Sequence, residues 1–148
     1  MNQRILFVCL GNICRSPAAE GVFRVMVPEA ETDSAGTGRW HIGAAPYGPM
    51  QVAARSRGYD ISDLRARLFL PEDFGRFDLI IGMDDQNIAT IEAQRPAGSD
   101  TPVRLMTEFA PAAGMDHVPD PYYTRDFDGA LDLIEVAARG LRQTLCVT

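Results

Sequence analysis

The chain has 148 residues, 46% of them apolar and 23% charged, the composition of one ordinary globular domain, residues 1–148, with enough material for a core. A formal net charge of −6 and a sequence pI near 4.8 exclude a general nucleic-acid binder, which needs a basic face. Nothing approaches the roughly 18 consecutive apolar residues of a membrane span, and the opening Met-Asn-Gln-Arg-Ile-Leu-Phe-Val lacks the pattern of a secretory leader, so a cytoplasmic protein away from the membrane is expected.

Ile5-Leu6-Phe7-Val8 is a run of branched and aromatic residues typical of a strand buried on both faces, ending at Cys9. After a glycine-containing loop, Ser16 is in place to cap a helix with Pro17 at its first position. Ala18, Ala19, Val22, Phe23 and Met26 then recur at helical spacing. A second extended piece is expected over Glu31 to Ala35, closed by Gly36 and Gly38, and a helix over Pro49 to Arg57, ended by Gly58. Phe77 to Gly82 is the clearest later strand. Asp84 to Gln94 follows as a helix carrying Ile88 and Ile91 before Pro96. Val103 to Met106 is a fourth strand, and Phe127 to Leu145 a terminal helix with Leu131, Ile134, Ala138, Leu141 and Leu145 along one stripe. This alternation gives an α/β fold, a doubly wound, four-stranded parallel sheet with helices on both faces. The segment from Ala110 to Thr124 is long and rich in Pro, Gly and Asp, a length that in compact domains often marks function.

Three cysteines, Cys9, Cys14 and Cys146, are too few and too unevenly spaced for the disulfide frame of a secreted domain. Cys9-Leu10-Gly11-Asn12-Ile13-Cys14-Arg15-Ser16 sits where a strand gives way to a helix, the place where open α/β sheets bind ligands. Five residues separate Cys9 from Arg15. Such a loop can curl around a phosphate with its amide N–H groups inward and the helix N-terminus behind them. Gly11 and Asn12 suit the left-handed backbone that a nest of this kind requires. The same field favours thiolate over thiol at Cys9, making it a nucleophile. The Arg15 fork matches two phosphate oxygens, where a Lys would lose the bidentate match. Ser16 has two compatible readings, an N-cap or a hydroxyl donating to the Cys9 sulfur. Cys14 also has two, a small buried apolar residue or a partner for a reversible disulfide that shields Cys9.

Val8 through Pro17 resembles the signature loop of the low-molecular-weight protein tyrosine phosphatases. Ser34-Ala35-Gly36-Thr37, Trp40-His41-Ile42-Gly43, Arg57-Gly58-Tyr59, Ala66-Arg67, Met83-Asp84 and Asp120-Pro121-Tyr122-Tyr123 fall in the order and approximate spacing of that family, so the resemblance covers nearly the whole chain. It implies that Asp120 is the general acid, needed because phenolate and alkoxide leave poorly unless protonated. It implies that Trp40, Tyr122 and Tyr123 are aromatic walls for a phosphotyrosine ring, though aromatics there equally suit satellite core. Tyr122 and Tyr123 are by the same analogy phosphorylation sites. The implied substrate is a tyrosine-phosphorylated protein, and the implied reaction needs no cofactor. Metal chemistry has little support, since His41 and His117 are the only histidines and the cysteines lack zinc-ligand spacing. Asp84 is placed either to orient Arg15 or to cap the next helix, with capping the safer reading. The chain departs from the family in having Leu64 where a histidine usually joins Asn12 and Ser34 in a polar brace, so a smaller or water-filled brace is expected.

Three alternatives stand beside the tyrosine phosphatase. A thiol-dependent arsenate reductase needs a resolving cysteine pair near mid-chain, and only Cys146 comes later. A protein-arginine phosphatase carries Thr where this chain has Ile13. A silent phosphotyrosine reader or redox sensor typically lacks one of nucleophile, arginine or acid, and all three are present here. A monomer or weak homodimer suits a domain of this size.

Overall fold

The computed structural model describes residues 3–146, with the Cys146 side chain outside that description, so the reading of Cys146 lies beyond the described residues. Four strands, β1 (Arg4–Cys9), β2 (Glu31–Gly36), β3 (Leu79–Gly82) and β4 (Val103–Leu105), form one all-parallel sheet in the order β2-β1-β3-β4. β1 is central, in register from Arg4 against Glu31 to Cys9 against Gly36, and from Ile5 against Leu79 to Val8 against Gly82. The helices are α1 (Arg15–Met26), α2 (Gly48–Arg55), the single turn α3 (Asp73–Arg76), α4 (Asp85–Glu92), the single turn α5 (Pro121–Thr124) and α6 (Phe127–Cys146). Two 3₁₀ turns, Met106–Phe109 and Pro111–Ala113, follow β4.

Alternation along β1 divides the core in two. Ile5, Phe7 and Cys9 face one side, where they meet Val22 and Phe23 of α1, Met50 and Ala54 of α2, and Leu131, Ile134, Ala138 and Leu141 of α6. Leu6 and Val8 face the other, against Phe69, Phe74 of α3, Phe77 and Ile91 of α4. With both faces covered, a parallel strand reads as an unbroken apolar run. Phe7 meets Phe23 edge to face, ring centroids 5.9 Å apart. The expected fold is therefore observed, helices on both faces included. Among the described residues no helix is long and apolar enough to cross a membrane.

Several boundaries differ from expectation for identifiable reasons. α1 begins at Arg15 with Cys14 at the N-cap, so Ser16 is not the cap and Pro17 stands third rather than first. α2 runs Gly48–Arg55, and Gly58 takes φ +91° in the turn beyond it. β3 starts at Leu79 because Phe77 caps the turn of α3, an element the sequence did not announce. α4 runs Asp85–Glu92, with Asp84 outside it as cap, and β4 stops at Leu105, where Met106 enters a 3₁₀ turn. α5 and Pro111–Ala113 structure part of the 110–124 segment.

Candidate active site

The carboxyl edge of the sheet brings together the ends of β1 and β3, strands whose onward connections run in opposite directions, and that is the crevice where doubly wound folds bind ligands. Cys9 ends β1, and Asn12 takes φ +56°, which turns the chain back over the sulfur. The Asn12 N–H donates to Cys9 Sγ at 3.3 Å, and Ser16 Oγ lies 3.0 Å from the same sulfur. Ser16, inside the first turn of α1, thus turns its hydroxyl to the sulfur. The backbone N–H groups of Leu10, Gly11, Ile13 and Cys14 meet no protein acceptor among the described residues, leaving a row of donors in the loop.

Arg15 is 3% exposed. Its Nη1 donates to Asp84 Oδ2 and to the Val118 carbonyl, both at 2.9 Å, and its Nη2 lies 3.5 Å from Asp120 Oδ2. Burial opposes its charge, but Cys9, Asp84 and Asp120 outweigh burial and hold the guanidinium ionised. A buried pair of this kind is weak evidence of stability, since desolvation consumes most of the attraction. Its effect is to fix the fork in place. Asp84 serves both readings offered for it, because Oδ1 accepts the Asn87 N–H as helix cap at 2.8 Å while Oδ2 holds Arg15.

A cavity of about 360 Å³ opens above the loop, lined by Cys9, Leu10, Gly11, Ile13, Cys14, Trp40, His41, Asp120, Tyr122 and Tyr123. Asn12, Arg15 and Ser16 stand behind this lining. Trp40 is 74% and Tyr123 72% exposed, as rim residues rather than satellite core. Trp40 folds back over Gly38, where any Cβ would collide with the indole. Asp120 is the N-cap of α5, its Oδ1 accepting the Tyr122 N–H at 3.0 Å, which leaves Oδ2 toward Arg15 and the cavity. Cys9 and Cys14 are not joined in a disulfide, and burial, followed by negative charge at Cys9 and Asp120, pushes Cys14 up to about 12. No group of three His, Cys, Asp or Glu side chains among the described residues is arranged to hold a metal ion.

The brace behind the loop is complete without a histidine. Asn12 Nδ2 donates to Ser16 Oγ at 2.8 Å and to Ser34 Oγ at 3.0 Å, and Asn12 Oδ1 accepts the Arg67 N–H at 3.0 Å. Ser34 Oγ donates in turn to Glu20 Oε1 at 2.7 Å. Leu64 instead packs on the main core. Glu20 is 5% exposed, and burial raises its carboxyl to about 7 against the opposing pull of the Ser34 hydroxyl. Three residues here had no assigned place from sequence: Glu20 in the brace, His41 in the cavity wall, and Tyr47, whose N–H donates to the Ile13 carbonyl at 2.8 Å. His41 stands beside Trp40 in the chain and approaches Gly11 so closely that a Cβ there would lie 3.1 Å from its ring, so adjacency to Trp40 was the available signal.

Known proteins agree with this geometry. A sequence model of the low molecular weight phosphotyrosine protein phosphatase family matches residues 4–147. A low molecular weight protein-tyrosine-phosphatase of Streptomyces coelicolor is 42% identical, the match covering 95% of this chain and 92% of the relative. The crystal structure of YfkJ from Bacillus subtilis superposes with a TM-score of 0.92 at 34% identity, covering 98% of this chain and 95% of that one. That of a protein tyrosine phosphatase from Entamoeba histolytica, with Hepes in its active site, gives 0.91 at 34% identity, covering 97% of each chain. A family model matched over residues 4–147 and a relative 42% identical over nearly its whole length show that this chain belongs to the low molecular weight phosphotyrosine protein phosphatase family.

Proposed function

We propose that Cys9, Arg15 and Asp120 carry the tyrosine phosphatase reaction of this family, and that residues 1–148 act as one phosphatase domain. The observation that carries it is that Cys9 and Asp120 line a single cavity, with Arg15 buried behind the lining and its Nη2 3.5 Å from Asp120 Oδ2. A phosphate seated over the loop meets the free N–H groups of Leu10, Gly11, Ile13 and Cys14. Nη1 of Arg15 is occupied by Asp84 and Val118, so Nε and Nη2 are the pair that grips two phosphate oxygens, the phosphate taking Nη2 over from its 3.5 Å contact with Asp120 Oδ2. The Cys9 sulfur forms a bond to phosphorus as the phosphorus–oxygen bond to the aryl group breaks, and the Asp120 proton passes to the leaving oxygen. Asp120 then takes a proton from a water that attacks the cysteinyl phosphate, releasing phosphate and the Cys9 thiolate. Asn12 N–H and Ser16 Oγ stand ready to stabilise the sulfur in both steps.

Trp40, His41, Tyr122 and Tyr123 offer apolar faces to an aromatic ring, which supports a tyrosine-phosphorylated protein as substrate. Ile13, nearly buried in the cavity wall, offers no hydroxyl to a guanidinium phosphate, which favours the aryl ester. The acidic composition supports work on proteins rather than nucleic acid, and we place the enzyme in the cytoplasm as a monomer or weak homodimer. The test is steady-state hydrolysis of phosphotyrosine, phosphoserine and phosphoarginine peptides with chelator present, by the wild type and Cys9→Ser. Chelator-insensitive, Cys9-dependent turnover led by phosphotyrosine is expected. A phosphoarginine preference, or equal turnover by Cys9→Ser, would overturn the assignment.

A further inference from the structure

Arg125 has no part in the chemistry above, yet its surroundings join the turn that bears Asp120 to the wall of the phosphate loop. It sits at the C-cap of α5 with φ +63°, a left-handed conformation that a residue with a long side chain adopts only at a cost. Its guanidinium carbon lies over both the Tyr47 and Phe127 rings, 5.3 Å from the first centroid and 5.2 Å from the second, where the two rings pack on each other with centroids 6.0 Å apart. Nη1 donates to the Tyr47 hydroxyl at 3.0 Å and reaches the Tyr122 carbonyl at 3.4 Å. Tyr47 is itself tied to the loop through the Ile13 carbonyl and packs on the Tyr122 ring with centroids 5.1 Å apart. A continuous path therefore runs from Ile13 through Tyr47 and Arg125 to Tyr122, whose N–H is held by Asp120.

We propose that Arg125 is a positioning residue that clamps α5 against Tyr47 and thereby sets where Asp120 stands relative to Cys9. The inference rests on Asp120 as the acid and concerns what holds it there. α5 is a single turn, closed by the Tyr123 and Thr124 N–H groups on the Asp120 carbonyl and the Arg125 N–H on the Pro121 carbonyl, and with only Pro121 buried its own bonds do not fix where the turn sits on the protein. The lateral hold comes from the stacked guanidinium. A planar fork can lie over two rings while still donating to the hydroxyl of one of them, which an ammonium cannot reproduce. Asp120 Oδ2 must meet the leaving oxygen during transfer to Cys9, so a displaced α5 impairs proton donation before it impairs phosphate binding.

The experiment compares kcat/KM, which reports transfer to Cys9, for phenyl phosphate and 2,4-dinitrophenyl phosphate. The first needs a proton on leaving and the second does not. Arg125→Gly and Arg125→Asn both accept the positive φ, so the backbone is retained while the clamp is lost, with circular dichroism to verify folding. The ratio of phenyl to dinitrophenyl kcat/KM is expected to fall on the order of tenfold in both, to recover only in part in Arg125→Lys, and to show no further fall when Arg125→Gly is added to Asp120→Ala. An unchanged ratio, full recovery by lysine, or an equal rise in KM for both esters would overturn the clamp while leaving the phosphatase assignment intact. A wild type that turns over neither ester would overturn the assignment and the clamp together.

Discussion

Asn12 joins three strands of the account: it bends the loop, it donates to the sulfur, and its side chain ties the loop to Ser16, Ser34 and Arg67. Replacing it with alanine removes three side-chain hydrogen bonds inside a nearly water-free site, at about 1 kcal/mol each. Alanine also lacks the tolerance of asparagine for φ +56°, which adds about 1 kcal/mol. The expected loss for Asn12→Ala is therefore about 4 kcal/mol, and for Asn12→Gly, which accepts the backbone angle, about 3 kcal/mol. Urea unfolding followed by circular dichroism measures both, and thermal midpoints should drop by roughly 10 °C. A loss below about 1 kcal/mol in both variants would refute the reasoning, because the brace would then contribute nothing that water could not supply.

Glu20 makes stability depend on pH with a definite sign. Its folded value near 7 lies above the ordinary 4.5, so the contribution is fully present below about pH 4.5 and is lost as pH rises through 7. At 1.36 kcal/mol per pH decade, the wild type should lose about 2 to 3 kcal/mol relative to Glu20→Gln between pH 4.5 and 8. Parallel stability curves for the two proteins would contradict it. Asp120→Ala should reduce kcat/KM for phenyl phosphate on the order of a hundredfold more than for 2,4-dinitrophenyl phosphate, and an equal reduction for both would remove Asp120 as the acid. Gly36→Ala places a Cβ 2.9 Å from the Leu10 carbonyl oxygen and 3.1 Å from Asn12 Cβ. The loop must shift to admit it, so the inhibition constant of inorganic phosphate should rise on the order of tenfold; an unchanged constant would show that the cradle tolerates displacement.

What the sequence disclosed follows the range of the forces involved. β1 and α1 were legible because each is written in local hydrophobic patterning, and the loop between them because Cys9, the left-handed Asn12 and Arg15 are neighbours in the chain. Ser16 was ambiguous because an N-cap and a thiolate donor call for the same hydroxyl, and only the three-dimensional path of the loop decides between them. α3 and α5 escaped because one turn carries no period, and Asp120-Pro121 reads as a turn from sequence although it opens α5. Glu20, Tyr47 and Arg125 were hidden for a different reason. Each acts through at least one partner 14 or more positions away, such as Ser34 for Glu20 and Tyr47 for Arg125, and no local pattern records such pairings. The Leu64 departure suggested a weakened brace, yet Glu20 and the Arg67 amide complete it from α1 and from the segment after Leu64.

In the proposed reaction the phosphoryl group passes through the Cys9 sulfur. Mixing the wild type with a phosphotyrosine peptide, quenching in acid within milliseconds and mapping the modified peptide by mass spectrometry tests it most directly. A phosphoryl group on Cys9, absent in Cys9→Ser, is the expected result. Turnover with no phosphorylated cysteine at any quench time, or with the label on another residue, would contradict the account.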